Sequence, residues 1–395
     1  MALYAFDGTW NSAKDGEDSG SKNTNVFRFH QAYQKHSNTH DFYVPGVGTR
    51  LATIGKIFGG VFGLGELPRI NEAYDQLCAN WAAGDHTIDI VGFSRGAATT
   101  LDFCHRIQDH GIRKPGTHDV VEPNPKIRFL GVWDVVAAFG LANLGNTGLN
   151  IGHHLSVPKS NLQYCFHALA IDERRPSFLP TRLHGACEVW FRGVHADIGG
   201  GNTNKGLNDI TLKWMMSKAK AAGLPIADAD IAALQPNPAT LPRPDHKLPL
   251  KVRAVSAIDR CHHTISPLPN WMTPPSTCPV ETQADEQSAV ELGALVEVLS
   301  AEDRDRVNAL WATAESTASS LGFRIDTVKD ALVTLFQGRV LLITNDAQLN
   351  TAKASVVRLV TAMIDGAQKK SFHVMNEFFL NEALFNLHPL HPFTD

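Results

Sequence analysis

Several features that mark other protein classes are scarce in this sequence of 395 residues. An excess of one charge is lacking, because 36 Lys and Arg nearly balance 40 Asp and Glu. A near-neutral chain has no electrostatic basis for binding nucleic acid or for attaching to a membrane by charge alone. Cysteine is also rare, with six residues and no C-x-x-C pair, which argues against a disulfide scaffold or a zinc ribbon and favours a reducing compartment.

Targeting signals and long apolar runs are lacking as well. The first residues, MALYAFDGTWN, have neither the basic region nor the apolar region of a cleavable signal peptide. The longest glycine-rich apolar run, residues 57–65, is much shorter than the roughly 20 residues that cross a bilayer. We therefore expect a cytoplasmic protein, or one that is secreted without a signal peptide. Within that run, residues 59–65 form either a lid that touches membranes transiently or a buried connection.

What the sequence does contain is an alternation of short apolar runs with helical stretches over residues 2–260. This rhythm is typical of a mostly parallel sheet flanked by helices, and so of the α/β class. It predicts strands at 3–6, 41–44, 86–93, 127–133, 188–194 and 250–258, and helices at 25–36, 69–83, 95–110 and 208–222. Further helices are predicted at 286–320, 326–337 and 352–369. We predict a catalytic α/β domain over residues 1–262 and a mainly helical C-terminal subdomain or cap over 263–395.

The sharpest motif is Gly92-Phe93-Ser94-Arg95-Gly96, which lies where a predicted strand ends and a predicted helix begins. The nucleophile elbow of α/β hydrolases needs this switch, with a serine in a strained turn between small residues. We therefore predict Ser94 as a nucleophile in an α/β-hydrolase-like fold. The alternative is a glycine turn that contains an incidental serine.

A serine nucleophile needs a histidine base and a carboxylate, which follow it along the chain in the order acid, then histidine. Asp134 closes the apolar run FLGVWD, and His195 follows the run EVWFRGV. Both lie at the ends of predicted strands, where open α/β sheets bind their ligands. The sequence therefore predicts His195 as the base and prefers Asp134 as the acid, with Asp102 and Asp197 as rivals.

Oxyanion donors are predicted from the loops that surround the serine. One is the backbone N–H of Arg95, which follows the nucleophile, and the other comes from Gly8 or Thr9, after the first strand. A simple Asx turn at Asp7 is the alternative for that second loop. This chemistry needs no cofactor and no metal. A divalent ion bound near Asp7 or Asp197 stays an open alternative.

A metal site elsewhere has little support from the spacing of the ligand residues. Cys261, His262 and His263 are consecutive, but no second pair of ligand residues follows at a distance typical of zinc sites.

Five sequence blocks, FDGTWN, GFSRGAATT, FLGVWDVV, HALAIDERR and WFRGVHADIGGG, together resemble an α/β-hydrolase family that includes phospholipase effectors of type VI secretion, the type-one lipase effectors. The resemblance covers about residues 2–205 and implies a serine esterase. Ser94 and His195 match the family's nucleophile and general base, and Asp134 matches the aspartate of its G-V-W-D block. The C-terminal portion resembles no family that we can name.

We therefore expect a serine carboxylic-ester hydrolase, a lipase or phospholipase A that uses Ser94, His195 and Asp134 through an acyl-enzyme. Its expected partners are a lipid or other ester substrate and a transiently contacted membrane, with an immunity or secretion protein as a further partner that the resemblance implies. Two alternatives stay open. One is an esterase or depolymerase for a non-lipid ester, and the other is a non-catalytic scaffold whose helical region binds a protein.

Overall fold

The computed structural model describes most of the residues between 1 and 369. These are 1–8, 23–37, 40–45, 66–136, 157–158, 161–175, 178, 180–183, 185–242, 253, 255, 259–265, 279–292, 301–324, 343 and 345–369. Thr9, residues 59–65 and the predicted helix at 326–337 lie outside the described residues.

Ten strands are assigned in the described part of the chain. They are β1 (Ala2–Phe6), β2 (Phe42–Val44), β3 (Ile88–Phe93), β4 (Ile112–Arg113), β5 (Val120–Glu122), β6 (Ile127–Trp133), β7 (Leu162–Ala170), β8 (Cys187–Phe191), β9 (Arg260–His262) and β10 (Val280–Glu281). Eight of them form one sheet in the order β10-β9-β8-β7-β6-β3-β1-β2, in which each neighbouring pair is parallel. The short strands β4 and β5 pair antiparallel, away from this sheet.

The described α-helices cover the sheet and extend beyond it. They are α1 (Asn25–Gln34), α2 (Glu66–Ala82), α3 (Ser94–His110), α4 (His195–Gly199), α5 (Lys205–Ala221), α6 (Asp228–Ala232), α7 (Gln283–Glu286), α8 (Ala301–Ser320) and α9 (Asp346–Lys369). No described helix is long and apolar enough to cross a bilayer. α8 packs against α9, and buried side chains recur at four-residue spacing on both helices.

Two hydrophobic cores lie on opposite faces of the sheet, and β1 contributes to both. Ala2, Tyr4 and Phe6 pack in the core that α2 and α3 share, whereas Leu3 and Ala5 pack in the core of α1 and α5. Successive side chains of a strand point to opposite faces, so a fully apolar strand is what a sheet covered on both sides requires.

The order of the strands fixes where a site can form. The chain adds β2 on one side of β1 and then crosses to add β3 on the other side. Ligands of open α/β sheets bind outside the carboxyl ends of the strands at such a switch point. Asp7 and Ser94 directly follow β1 and β3, and therefore lie at this point.

The α/β class and the mostly parallel sheet are confirmed, and a helix is present in the C-terminal region. The predicted strand at 250–258 is not found at its two described residues, 253 and 255, and this prediction needs correction. Five of the described strands were not predicted from the apolar pattern, namely β4, β5, β7, β9 and β10. The division at residue 262 stays a prediction, and β10 of the sheet lies beyond it.

Candidate active site

Ser94 lies in a strained turn at the junction of β3 and α3. Its φ is +57°, in the left-handed region that side chains other than glycine seldom adopt, while the preceding Phe93 is still extended. The turn therefore lifts the serine out of the strand at the first residue of the helix. This is the geometry of a nucleophile elbow.

Two glycines make this turn sterically feasible. A Cβ atom at Gly92 would lie 2.6 Å from the Thr100 methyl carbon and 2.8 Å from the Ala97 Cα, inside normal contact distance. A Cβ atom at Gly96 would lie 2.4 Å from the carbonyl oxygen of Phe6 and 2.5 Å from that of Asp7. The small residues of the motif thus allow α3 to approach both its own strand and the end of β1.

Ser94, His195 and Asp134 form one hydrogen-bonded chain. His195 Nε2 lies 2.8 Å from Ser94 Oγ, and His195 Nδ1 lies 2.6 Å from Asp134 Oδ2. All three residues are buried, with 7%, 6% and 0% of their surface exposed for Ser94, His195 and Asp134. An ionised carboxylate can only accept a hydrogen bond, so Nδ1 carries the ring proton and Nε2 presents its lone pair to the serine hydroxyl.

Asp134 is held at the end of β6 in a second strained conformation, with φ of +40°. The backbone N–H of Ala170 donates to Asp134 Oδ1 at 3.0 Å. The next residue is fixed on both sides, because Val135 N–H donates to His167 Nε2 at 3.1 Å and the Val135 carbonyl accepts from Thr181 N–H at 2.8 Å. β7 therefore supplies contacts that maintain the strain at Asp134.

Arg253 is a site residue that the sequence reasoning missed. Its guanidinium donates to both oxygens of Asp134, from Nη1 to Oδ1 at 2.6 Å and from Nη2 to Oδ2 at 3.0 Å. It also donates to the carbonyl oxygens of Ala170 and Phe178. Burial alone would raise the pKa of Asp134, but the charge of Arg253 and the hydrogen bond from His195 outweigh it and hold that pKa well below its usual range.

The loop after β7 fixes the imidazole of His195. Buried Glu173 accepts from the backbone N–H of His195 at 3.1 Å and is paired with Arg175 at 2.8 Å. The ring of Phe178 meets the imidazole edge-on at 4.9 Å between centroids, and the Phe93 ring lies against it at 4.6 Å. Burial lowers the pKa of His195 below its ordinary value despite the neighbouring Asp134 carboxylate.

The two rival carboxylates are placed differently from Asp134. Asp197 accepts from the backbone N–H of Val194 and from the side-chain amides of Asn202 and Asn204, so it shapes the turn around His195. Asp102 lies on α3, eight residues beyond Ser94, a rise of about 12 Å along the helix. Of the three candidate acids, Asp134 is the one whose carboxylate contacts the imidazole Nδ1.

Asp7 and Gly8 lie at the carboxyl end of β1, beside the serine turn. The Asp7 carboxylate accepts from the Gly8 N–H at 2.7 Å and from the hydroxyls of Thr24 and Tyr43 at 2.5 and 2.6 Å. Burial raises the pKa of Asp7 to about 6 despite these donors. Gly8 as an oxyanion donor stays a prediction, and that role requires its hydrogen bond to Asp7 to be shared or released. Arg95 follows Ser94 in the first turn of α3.

The family of this chain follows from a comparison with known proteins. Residues 3–124 and 106–218 match the family described as the catalytic domain of Tle1-like phospholipase effectors of type VI secretion (T6SS). The matched stretches together span more than half of the chain. This chain belongs to the Tle1-like family. The resemblance carried by the five sequence blocks is confirmed, and membership supports a lipase or phospholipase role for the Tle1-like domain.

Among solved structures, this Tle1-like chain is similar to the crystal structure of an uncharacterized protein from Pseudomonas aeruginosa, which is 17% identical, with a TM-score of 0.38. The alignment covers 100% of this chain and 64% of that protein, so this chain spans less than two thirds of its length. None of the curated proteins compared matches this sequence.

Proposed function

We propose that this protein is a serine carboxylic-ester hydrolase that cleaves phospholipids as a phospholipase A. The observation that carries the proposal is the hydrogen-bonded chain from Ser94 through His195 to Asp134, at 2.8 and 2.6 Å. Reactive serines need a base within hydrogen-bond reach, and the base needs an orienting group. Ser94 lies at the switch point of the sheet, and Asp134 and His195 follow the carboxyl ends of two other strands of the same sheet, the edge at which α/β proteins bind ligands.

Acylation begins when Ser94 Oγ attacks the ester carbonyl carbon while His195 Nε2 takes the hydroxyl proton. Asp134 remains ionised and stabilises the imidazolium that forms. The bond from the carbonyl carbon to the leaving oxygen then breaks, and His195 returns the proton to that oxygen to release the alcohol, a lysophospholipid. The acyl group remains on Ser94 as an ester.

Deacylation repeats these steps with water. His195 takes a proton from the water as its oxygen attacks the acyl carbon, and it then protonates the departing Ser94 Oγ, so that a fatty acid leaves. The negative oxygen of each tetrahedral intermediate needs nearby N–H donors. We assign one to the Arg95 backbone, and the second to Gly8 or Thr9.

The choice of a lipid substrate rests on the family rather than on the geometry. The matched family is named for phospholipase effectors of type VI secretion, and Ser94, Asp134 and His195 all lie within the matched stretches. We extend the same reasoning to an immunity or secretion protein as a partner and to export without a signal peptide. The catalytic residues themselves are equally compatible with a non-lipid ester.

Labelling with a fluorophosphonate probe distinguishes a serine hydrolase from a non-catalytic scaffold. Such probes react with serines that a neighbouring base has activated. We expect stoichiometric labelling of the wild type, no labelling of Ser94→Ala, and strongly reduced labelling of His195→Ala. Thr99→Ala, five residues further along α3, is a matched control that keeps its labelling. An unlabelled, folded wild type would contradict the proposal.

A further inference from the structure

A second cluster of titratable side chains lies outside the catalytic residues. His262 closes β9, His263 opens the short 3-10 helix His263–Ile265, and Glu286 closes α7. His262 Nε2 lies 2.8 Å from Glu286 Oε1, and His263 Nε2 lies 2.7 Å from the same oxygen. Among the described residues, this is the one group of three histidine, cysteine or carboxylate ligand atoms within 4.8 Å of one another.

The two imidazole nitrogens converge on one carboxylate oxygen of Glu286. Their ring centroids are 4.3 Å apart, so two protonated rings would repel each other at close range. A divalent cation between the three atoms replaces both ring protons and satisfies both nitrogens and the carboxylate together. His262 Nδ1 lies 2.7 Å from the Thr264 hydroxyl, which provides the outer partner that orients a metal-binding imidazole.

The carboxylate ligand is held in place by contacts that do not involve the histidines. The buried ammonium of Lys218 donates to the carbonyl oxygens of Asp285 and Ser288, at either side of Glu286. Glu281 neutralises that ammonium at 2.6 Å. The position of α7, and of Glu286 at its end, is therefore set before any ion binds.

The three side chains of the cluster differ in their exposure to solvent, as a site that takes up a metal ion from solvent requires. The side chains of His262 and Glu286 are 2% and 4% exposed, whereas that of His263 is 35% exposed. The His262 ring packs on Phe191 at 4.5 Å, which closes the inner side. An ion can thus enter past His263 and keep a water molecule on the open side.

We propose that His262, His263 and Glu286 bind a divalent transition-metal ion, for which Zn²⁺ is the best match. Imidazole nitrogens and carboxylate oxygens are common Zn²⁺ ligands, whereas a site with two nitrogens does not suit Ca²⁺, which takes six to eight oxygens. Ligand atoms about 2.0–2.1 Å from a tetrahedral zinc lie roughly 3.3 Å apart. Each imidazole nitrogen therefore needs to move about half an ångström away from the Glu286 oxygen, which the partly exposed His263 on a one-turn helix can accommodate.

The position of the cluster indicates what the ion does. β9 pairs with β8 and with β10 through two residue pairs each, so this edge of the sheet is held by few hydrogen bonds. The ion links β9 to α7 across this edge. It therefore stabilises the side of the sheet next to β8, the strand that leads to His195.

The test uses the full chain, freed of metal with EDTA, and Zn²⁺ alone as the probe. Titration calorimetry should show one ion bound at the cluster, and the thermal midpoint should rise with Zn²⁺ but not with Ca²⁺. His263→Ala and Glu286→Gln should each weaken that binding at least tenfold and remove the thermal shift. His118→Ala, an exposed histidine elsewhere, is the control that retains both.

Replacement of Zn²⁺ by Co²⁺ provides a spectroscopic check that does not depend on stability. A tetrahedral site gives visible absorption bands in the wild type that His263→Ala loses. The proposal is overturned if a folded wild type binds no ion, or if His263→Ala binds Zn²⁺ with wild-type affinity. Because the readout is binding, the result is independent of whether the serine hydrolase proposal holds.

Discussion

At the scale of single residues, the carboxylate of Asp134 is shared between two basic side chains. It accepts from the imidazole of His195 and from both terminal nitrogens of Arg253. The guanidinium keeps a completely buried carboxylate ionised, but it also offsets part of the negative charge that stabilises an imidazolium. The expected result is a histidine that stays neutral, and so remains a base, into mildly acidic solution.

The pH profile of the reaction tests this balance. His195 must be neutral to act as a base, so kcat/KM should rise with pH through the pKa of His195 and level off above it. Because burial lowers that pKa, the ascending limb should have its midpoint below about 6.5, the ordinary value for histidine. The measurement is kcat/KM for a soluble short-chain ester from pH 4 to 9. A midpoint above 6.5 contradicts the description of the site.

Substitution of Arg253 tests its role as a positioning residue. Arg253→Met should move the ascending limb to higher pH, because Asp134 then stabilises the imidazolium more strongly, and should lower kcat/KM on the order of tenfold or more. Arg253→Lys should lower kcat/KM with less movement of the limb, because the charge remains while the paired hydrogen bonds are lost.

A second arginine–aspartate pair, in which the aspartate is buried and the arginine is partly exposed, provides the control for that experiment. Arg128 donates to both oxygens of Asp89 at 2.9 and 2.5 Å, and Asp89 lies near the opposite end of β3. Arg128→Met should therefore destabilise the fold, yet leave the pH profile unchanged. Equal shifts of the profile in Arg128→Met and Arg253→Met would mean that Arg253 acts only through stability.

The sequence was sufficient to predict the three residues of the hydrogen-bonded chain. It was not sufficient to predict the residues that hold this chain in place. Ser94, Asp134 and His195 each follow an apolar strand, so chain order and strand ends locate them. Arg253 lies 119 residues beyond Asp134, and no local pattern connects the two. Glu286 likewise reaches the His262 side chain only through the packing of α7 on the sheet.

At the scale of elements, the site depends on how closely α3 approaches β1. Gly96→Ala would place a Cβ atom 2.4–2.5 Å from two backbone carbonyl oxygens, which cannot move aside as a side chain can. We expect a loss of stability of about 1–3 kcal/mol or more, and a larger loss of activity because Ser94 shifts relative to His195. Urea unfolding and ester hydrolysis measure the two effects.

Gly116→Ala is the control that distinguishes the effect of steric crowding from the effect of backbone strain. Gly116 has φ of +73° and nothing near its missing Cβ, so alanine there costs only about 1–2 kcal/mol of strain, far from the site. Its activity should match that of the wild type. A Gly96→Ala protein with the same stability and activity as Gly116→Ala would contradict the close-packed elbow.

The elements also show where apolar patterns mislead. β6 was predicted at its observed bounds, because it is apolar throughout. β7 was missed, although it is the longest described strand of the sheet, because Gln163 and His167 interrupt its apolar run. In the fold His167 is fully buried and contacts Glu188 at 2.8 Å. This polar residue therefore lies in the interior beside the site and not on the surface.

At the scale of the whole molecule, the hydrogen-bonded chain of Ser94, His195 and Asp134 lies within the family match, and some of its supporting residues do not. The match ends at residue 218, whereas Arg253, the proposed metal ligands, and the pair of helices α8 and α9 all lie beyond it. We infer that the C-terminal part completes the sheet edge and supports Asp134. The domain division at residue 262 and the lid at 59–65 stay predictions.

The proposed role of Ser94 is tested most directly by the release of fatty acid from phosphatidylcholine vesicles by wild-type protein and by Ser94→Ala at matched folding. We expect release of fatty acid and lysophospholipid by the wild type and none by Ser94→Ala. Release by both proteins would contradict Ser94 as the nucleophile. Release by neither, while a fluorophosphonate still labels Ser94, would contradict the phospholipid substrate and leave an esterase of another specificity.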